Sequence, residues 1–161
     1  MELARHPRIG ELALKKLLAR QSSELPTVDV DATVLDALKV MSEYDIGAVL
    51  VLDGRRVLGV FSERDFARYS ASGGTRAEVT PIAEVMTECV TFATPANTVS
   101  ESMKLMTERG LRYLPVLEDG KLIGLLSIGD LLNEVIAHQE RVLKAIDLDQ
   151  LVLFARGTYS C

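Results

Sequence analysis

In two stretches of the chain, a pair of residues that can cap a helix is followed by residues spaced to form one buried helix face. Thr33 with Asp36, and Thr98 with Glu101, have the spacing of a capping box, in which each side chain bonds the backbone N–H of the other. Behind each box the inward positions follow i, i+3, i+4, i+7 spacing: Val34, Ala37, Leu38 and Met41 in the first stretch, and Val99, Ser102, Met103 and Met106 in the second. The pattern predicts two helices, each with one buried face.

Each predicted helix is followed by two short apolar strands and a tight turn. The strands are expected at 48–52 and 57–61, and again at 113–117 and 122–126. The turns between them contain Asp-Gly, a dipeptide that favours hairpins. A second helix is expected to begin after Ser62 and after Ser127. Short, mostly apolar strands predict a small sheet that helices cover on one face.

These elements belong to an internal duplication, because residues 25–69 align without a gap with residues 90–134. A supersecondary unit used twice predicts an α+β fold of two β-α-β-β-α repeats related by a pseudo-twofold axis, with extra N- and C-terminal helices. The predicted organisation is an N-terminal helical segment (1–24), repeat 1 (25–69), a linker with a short helix (70–89), repeat 2 (90–138) and a C-terminal helical extension (139–161).

The segments outside the repeats also carry periodic patterns. Residues 9–20 are expected to form a short amphipathic helix, and 80–86 a short helix with Pro81 in its first turn. Residues 131–146 are expected to continue as one long helix. The apolar tail 148–154 is expected to dock on a neighbour.

Composition narrows the functional classes. The chain has 161 residues, 48% of them apolar, with no continuous apolar run long enough for a membrane span and no secretory signal at its start, so a cytoplasmic protein is expected. The net charge of −5 argues against nucleic acid as the main partner. Two cysteines do not make a disulfide framework, and two distant histidines do not make a metal cluster. Neither a phosphate-binding glycine loop nor a catalytic triad is recognisable, so no enzyme activity is expected.

The most informative chemistry lies where each repeat ends, in the motif Gly-x-x-Ser-x-x-Asp. Ser62 with Asp65, and Ser127 with Asp130, could simply cap the helix that follows. They could also form a nucleoside-phosphate cradle, since a helix N-terminus attracts phosphate and a carboxylate accepts bonds from vicinal ribose hydroxyls. In that hypothesis Gly59 and Gly124 leave room for a flat base. Nearby cations that could neutralise phosphate are Arg55, Arg56, Arg64 and Arg68.

Four segments together resemble the tandem repeats of the cystathionine β-synthase (CBS) domain family. They are Asp45-Ile-Gly-Ala-Val-Leu-Val-Leu52, Gly59-Val-Phe-Ser-Glu-Arg-Asp65, Leu111-Arg-Tyr-Leu-Pro-Val-Leu117 and Gly124-Leu-Leu-Ser-Ile-Gly-Asp130. The resemblance extends over both repeats, residues 20–138, and as a set the segments are specific. It implies a stand-alone CBS pair, or Bateman module, without a catalytic domain.

The resemblance implies a regulatory function as a ligand sensor in signal transduction. Members bind adenine nucleotides such as AMP, ADP or ATP, and in some cases NAD(H) or S-adenosylmethionine, and pair into homodimers that act on a partner protein. Carried over by position, one site would use Gly47, Ala48, Val49, Ser62, Arg64, Asp65 and Arg68. The other would use Tyr113, Leu114, Pro115, Ser127, Gly129 and Asp130, with Arg112 at its edge. No metal and no catalytic cofactor is implied.

The two sites are expected to differ. Repeat 1 has Leu50 where the family often has proline, and repeat 2 has Arg112 where repeat 1 has Gly47. Arg112 could reach a phosphate or fill its own cleft. The alternative function is a structural or protein-interaction dimer with vestigial clefts, in which Asp65 and Asp130 serve only as helix caps.

Overall fold

The computed structural model describes residues 12–21, 24–88 and 91–157, with side chains described up to residue 148. In this part of the chain, helices and short strands alternate in the order expected for a duplicated α+β unit. The elements are α1 (Lys15–Leu18), β1 (Thr27–Asp29), α2 (Val34–Tyr44), β2 (Ala48–Asp53), β3 (Arg56–Ser62), α3 (Glu63–Ala71), β4 (Thr87–Glu88), α4 (Val99–Arg109), β5 (Tyr113–Glu118), β6 (Lys121–Ser127) and α5 (Ile128–Gly157). The predicted α+β class is confirmed.

The described chain divides into two compact units, and the division runs through repeat 2. One, the helical unit, comprises residues 12–20, 95–112 and 126–157, and so contains α1, α4 and α5. The other, the sheet unit, comprises residues 21, 24–88, 91–94 and 113–125. The sheet unit therefore contains all of repeat 1 and part of repeat 2, and the rest of repeat 2 lies in the helical unit.

A four-stranded sheet in the order β1-β2-β3-β4 forms the centre of the sheet unit. β1 runs parallel to β2, and β2 and β3 form the predicted antiparallel hairpin. Its helix-facing side is a core in which Val49, Val51, Phe61 and Ile82 are fully buried. The second hairpin, β5 with β6, forms a separate two-stranded sheet.

The capping boxes predicted for α2 and α4 are both present. Thr33 accepts from the Asp36 backbone N–H while the Asp36 carboxylate accepts from the Thr33 N–H, and Thr98 with Glu101 does the same. Each helix then ends in a left-handed residue, Asp45 after α2 and Gly110 after α4. A short polar side chain or glycine suits that conformation, so the chain can turn into the next strand.

The prediction of a first strand in repeat 2 is wrong, because only a single bridge forms there, between Ala93 and Val116. Ala93 donates to the Pro115 carbonyl and accepts from the Leu117 N–H, both at 2.9 Å. In repeat 1 the ladder continues on both sides, through Val30 N to Leu52 O and Leu50 N to Pro26 O. The equivalent donors in repeat 2 are prolines, Pro95 and Pro115, which have no N–H.

The predicted N-terminal helix is shorter than expected. Its described part is the four-residue α1, and residues 9–11 lie outside the described chain. Leu12 and Leu14 are instead buried in the helical unit, where Leu14 N donates to Asn97 O and Val99 N donates to Leu12 O. These bonds hold residues 12–14 in a bridge beside the start of α4. The three residues are therefore not part of α1.

The linker helix expected at 80–86 is also wrong in detail. It is a single 3-10 turn, Ile82–Glu84, with Pro81 immediately before it. The chain then pairs with β3 through β4, a strand that the sequence pattern did not predict. The side chain of Ile82 is buried in the core under the sheet and so holds the 3-10 turn against it.

Helix α5 is longer than the predicted 131–146 and continues to Gly157. Its inner face buries Leu131, Glu134 and His138. The Glu134 carboxylate accepts from Arg20 at 3.1 Å and from Arg141 at 2.8 Å. The predicted docking of the tail 148–154 concerns side chains that, after Leu148, lie outside the described part, and it stays a prediction.

We expect the capping acids to make stability depend on pH. The bond from the Thr33 backbone lowers the pKa of Asp36 below its ordinary 3.8, and the bond from the Thr98 backbone lowers the pKa of Glu101 below its ordinary 4.5. In the window below those values the unfolded chain binds more protons than the folded chain, so this stability is complete above it and is lost as pH falls through it. Urea unfolding of Asp36→Asn/Glu101→Gln should therefore differ more from the unchanged protein at pH 7 than at pH 3. An equal difference at both pH values would contradict the assignment.

Candidate functional site

The first Ser-x-x-Asp motif forms a buried capping box at the start of α3. The Ser62 N–H and hydroxyl donate to Asp65 Oδ2 at 2.8 and 2.7 Å, and the Asp65 N–H donates back to Ser62 Oγ at 3.4 Å. The Thr87 hydroxyl of β4 donates to the other carboxylate oxygen, Oδ1, at 2.8 Å. Asp65 is only 6% exposed. Its carboxylate thus links the end of β3, the start of α3 and β4.

The second motif has the same local geometry and fewer partners. The Ser127 N–H donates to Asp130 Oδ2 at 2.8 Å, and the Asp130 N–H donates to Ser127 Oγ at 3.1 Å. Asp130 is half-buried, and within the described chain its Oδ1 has no hydrogen-bond partner. This oxygen can accept bonds from a ligand without displacing a protein group.

The first backbone N–H of each second helix is already bonded. Glu63 N donates to Gly47 O at 3.1 Å, and Ile128 N donates to Arg112 O at 3.0 Å. Gly47 and Arg112 are therefore equivalent in the structure as well as in the sequence. Together with the N–H of each motif aspartate, this leaves less of the helix N-terminus for a phosphate than the sequence hypothesis assumed.

Predicted residues of the two sites meet inside the sheet unit. A Cβ placed on Gly47 would lie 2.9 Å from the Tyr113 hydroxyl oxygen and 3.6 Å from Glu63 Oε2. A larger residue at Gly47 would therefore displace Tyr113. The sequence had assigned Gly47 and Tyr113 to different sites.

The strand residues of both predicted sites are buried. Ala48, Val49 and Leu114 are at most 3% exposed, and Pro115, which follows Leu114, is also buried. Their side chains fill the interior, so what they can offer a ligand is backbone. Arg64, Arg112 and Gly129 are exposed, and Ser127 is half-buried.

The space that Gly59 was expected to leave for a base is filled by the chain itself. A Cβ on Gly59 would lie 2.7 Å from Met86 Sδ and 2.7 Å from Thr87 O. Glycine is needed at this position because β4 and its preceding residue pack directly on β3. This part of the cradle hypothesis is wrong.

A groove of about 390 Å³ opens beside Asp65. Asp65, Arg68 and Tyr69 of α3 form one side of its lining; the other lining residues are Ser72, Glu84, Val85, Met86 and Thr87. Thr87 and Tyr69 were missed by the sequence analysis. One signal was available for Thr87, because a hydroxyl residue, Ser22, stands at the equivalent position before repeat 1.

Arg55 and Arg56 do not belong to this groove. β3 begins at Arg56 and ends at Ser62, so roughly 20 Å of extended strand separates the hairpin turn from the motif. The two arginines line a different groove, of about 550 Å³. They cannot neutralise a phosphate at the start of α3.

Within the described residues, no group of three or more histidine, cysteine, aspartate or glutamate side chains is arranged to hold a metal ion. No helix in the same part of the chain combines the length and hydropathy needed to cross a membrane.

Comparison with known proteins gives consistent results. The family model for the CBS domain matches residues 16–72 and 82–137. The structure of a CBS-domain protein from Burkholderia ambifaria MC40-6 is 41% identical with a TM-score of 0.72, covering 78% of this chain and 94% of that one. The mitochondrial CBS domain-containing protein CBSX3 of Arabidopsis thaliana is 33% identical over 134 residues, which are 80% of this chain.

The chain spans only part of these curated relatives. The match covers 63% of CBSX3 and 24% of CBSCBSPB1, another Arabidopsis thaliana protein at 32% identity. A structure of CBSX2 in complex with AMP has a TM-score of 0.62 at 22% identity, over 80% of this chain and 98% of that one, and so shows a shared fold. The family model accounts for most of this chain and finds the domain twice. The chain belongs to the CBS domain family and carries two CBS domains in tandem.

Proposed function

We propose that this protein is a regulatory module that binds an adenine nucleotide and signals its occupancy to a partner protein. The groove beside Asp65 carries the proposal, because it combines three groups suited to the parts of a nucleotide. The Asp65 carboxylate can accept from ribose hydroxyls, the Arg68 guanidinium can bind phosphate, and the Tyr69 ring offers an aromatic face. Its volume lies within the range of small-molecule sites.

The family supports this assignment. CBS pair proteins are regulatory modules, and CBSX2 shares this fold and was crystallised with AMP. For this chain the candidate ligands are AMP, ADP, ATP, NAD(H) and S-adenosylmethionine. About −0.3 kcal/mol per non-hydrogen atom gives roughly −7 kcal/mol for AMP, and hence a Kd on the order of 10 µM.

The second motif offers a less crowded carboxylate. Asp65 Oδ2 already accepts two bonds, whereas Asp130 Oδ2 accepts one within the described chain and its Oδ1 is available. We therefore assign a second site to Ser127, Gly129 and Asp130, with Arg112 next to it. Its affinity differs from that of the first site because Arg112 replaces Gly47.

The signalling step requires that the ligand binds one arrangement of the protein better than another. The proposed module is a homodimer in the cytoplasm that acts without catalysis of its own. Its regulated partner is recognised through a surface that changes with occupancy.

Thermal unfolding with each adenine ligand tests the proposal. A ligand at 100 times its Kd should stabilise the folded state by about 2.7 kcal/mol, which is roughly 5–10 °C for a chain of this size. We expect Asp130→Ala to weaken binding at that site at least tenfold, about 1.4 kcal/mol, measured by calorimetric titration.

Asp36→Ala is the matched control, because Asp36 also completes a capping box but lies at the start of α2. It should lose a similar cap and bind nucleotide normally. If Asp130→Ala and Asp65→Asn both keep the unchanged Kd, the site assignment is wrong. If no adenine ligand shifts the transition, the nucleotide function itself is wrong.

The alternative is a protein-interaction dimer, and one observation favours it. The face of α5 opposite its buried residues exposes Leu132, Ile136 and Leu143 by 45%, 54% and 61%. Under this alternative, Leu132→Glu/Ile136→Glu should dissociate the assembly in analytical ultracentrifugation, while Asp130→Ala leaves all functions unchanged.

A further inference from the structure

The groove of about 550 Å³ in the sheet unit shares only Met86 with the groove beside Asp65. Neither Ser-x-x-Asp motif contributes to its lining, which consists of Arg55, Arg56, Val57, Leu58, Met86, Glu88, Phe92, Leu117 and Gly120. Arg55 and Gly120 belong to the turns of the two hairpins, so the groove lies at the hairpin end of the strands.

The two arginines that line this groove form no ion pair within the described chain. Arg55 and Arg56 are exposed neighbours, and neither guanidinium has an ion pair or hydrogen bond to another described residue. Glu88 is the one carboxylate among the lining residues. Arg55 and Arg56 place two adjacent guanidinium groups in the lining, and guanidinium groups bind carboxylate and phosphate well.

The rest of the lining is apolar and held in place. Phe92 and Leu117 pack against the core cluster of Ala48, Leu50, Val57 and Val60. A flat apolar group in the groove would therefore contact a fixed aromatic ring rather than a mobile side chain. Arginine at the rim with an aromatic floor combines charge recognition with apolar contact.

We propose that this groove binds a small organic anion that has a flat apolar body and one carboxylate, phosphate or sulfonate group. Arg55 and Arg56 hold the anionic group, and Phe92 and Leu117 contact the apolar body. Glu88 limits the charge that the groove accepts, so a singly charged ligand fits better than a polyphosphate. The volume is that of a small-molecule site.

Binding of anilinonaphthalene sulfonate, a fluorescent aromatic anion, tests this assignment in the full chain. We expect Arg55→Gln and Arg56→Gln each to weaken dye binding about threefold, and the double variant about tenfold, because exposed ion pairs are individually weak. Glu88→Gln should act in the opposite direction and tighten binding about threefold. Salt above about 0.1 M should weaken binding to the unchanged protein.

Arg76→Gln is the matched control, because it removes the same charge from an exposed position of the same unit outside the groove lining. It should bind the dye as tightly as the unchanged protein. Phe92→Leu should weaken binding several-fold while keeping the core filled, and uncharged N-phenylnaphthylamine should bind equally to the arginine variants and to the unchanged protein.

The proposal is overturned if the double arginine variant and Arg76→Gln bind the dye equally, or if Glu88→Gln weakens binding. The proposal does not rest on the Ser-x-x-Asp motifs, neither of which lines this groove. AMP should not displace the dye, and a failure of nucleotide binding in Asp130→Ala should leave the dye affinity unchanged.

Discussion

Replacing Phe61 with alanine is expected to lower the free energy of unfolding by about 3–5 kcal/mol. Phe61 lies on β3 and is fully buried in the core beside Val49, Val51 and Ile82. The substitution removes the ring's apolar contacts and leaves a cavity that strand and helix backbones cannot close. Urea unfolding measures the loss, and the melting temperature should fall by roughly 6–20 °C.

Phe66→Ala is the control for this prediction. Phe66 has the same side chain and packs on the same core from α3, but it is only half-buried. Its loss should be clearly smaller, with the same dependence on urea concentration. If Phe66→Ala costs as much as Phe61→Ala, the ring of Phe61 is not the centre of this core.

Replacing Asp65 with alanine is expected to lower stability by about 2–4 kcal/mol. The helix cap contributes about 1 kcal/mol of this, and the remainder is the cost of leaving buried donors without an acceptor. Those buried donors are the backbone N–H and the hydroxyl of Ser62, and the hydroxyl of the exposed Thr87 also loses its acceptor. Urea unfolding at pH 7 measures the loss without any ligand present.

Asp130→Ala provides the matched comparison, because Asp130 completes the same motif while being half-buried. Its loss should be nearer to that of a cap alone, about 1 kcal/mol. Thr87→Val should reproduce part of the Asp65 effect, since it removes the bond between β4 and the carboxylate. Equal losses in Asp65→Ala and Asp130→Ala would contradict the structural role assigned to Asp65.

This difference determines how nucleotide binding should be tested. Asp65 both stabilises the fold and lines the groove, so Asp65→Ala changes the protein and the site together. Asp65→Asn keeps one acceptor oxygen and is the better variant for that groove. Asp130 lacks the link to a further strand, so Asp130→Ala reports on ligand contacts more directly.

The features that depend on short spacings could be predicted from the amino-acid sequence. The boxes at Thr33 and Thr98 need only residues three positions apart, and helical periodicity behind them requires no distant partner. The hairpin between β2 and β3 follows from a short apolar run on either side of an Asp-Gly turn. The duplication then supplied the second copy and, through its resemblance, the family.

The shortened first strand of repeat 2 could be predicted only in part from the sequence. Pro95 and Pro115 are visible in the sequence, but their effect depends on the register between Ala93 and Val116. Only when that register is known does it follow that both flanking donors of the ladder are missing.

Contacts between segments far apart in the chain were decided by the tertiary structure alone. Thr87 reaches Asp65, and Met86 covers Gly59, because the linker after Ile82 returns along β3 as β4. The tertiary structure also brings Tyr113 to Gly47 and separates Arg55 and Arg56 from the motif that they were expected to serve. Local periodicity specifies which face of an element is buried, but the path of a linker depends on the combined packing of all the elements it joins, and that packing has no short-range signature in the sequence.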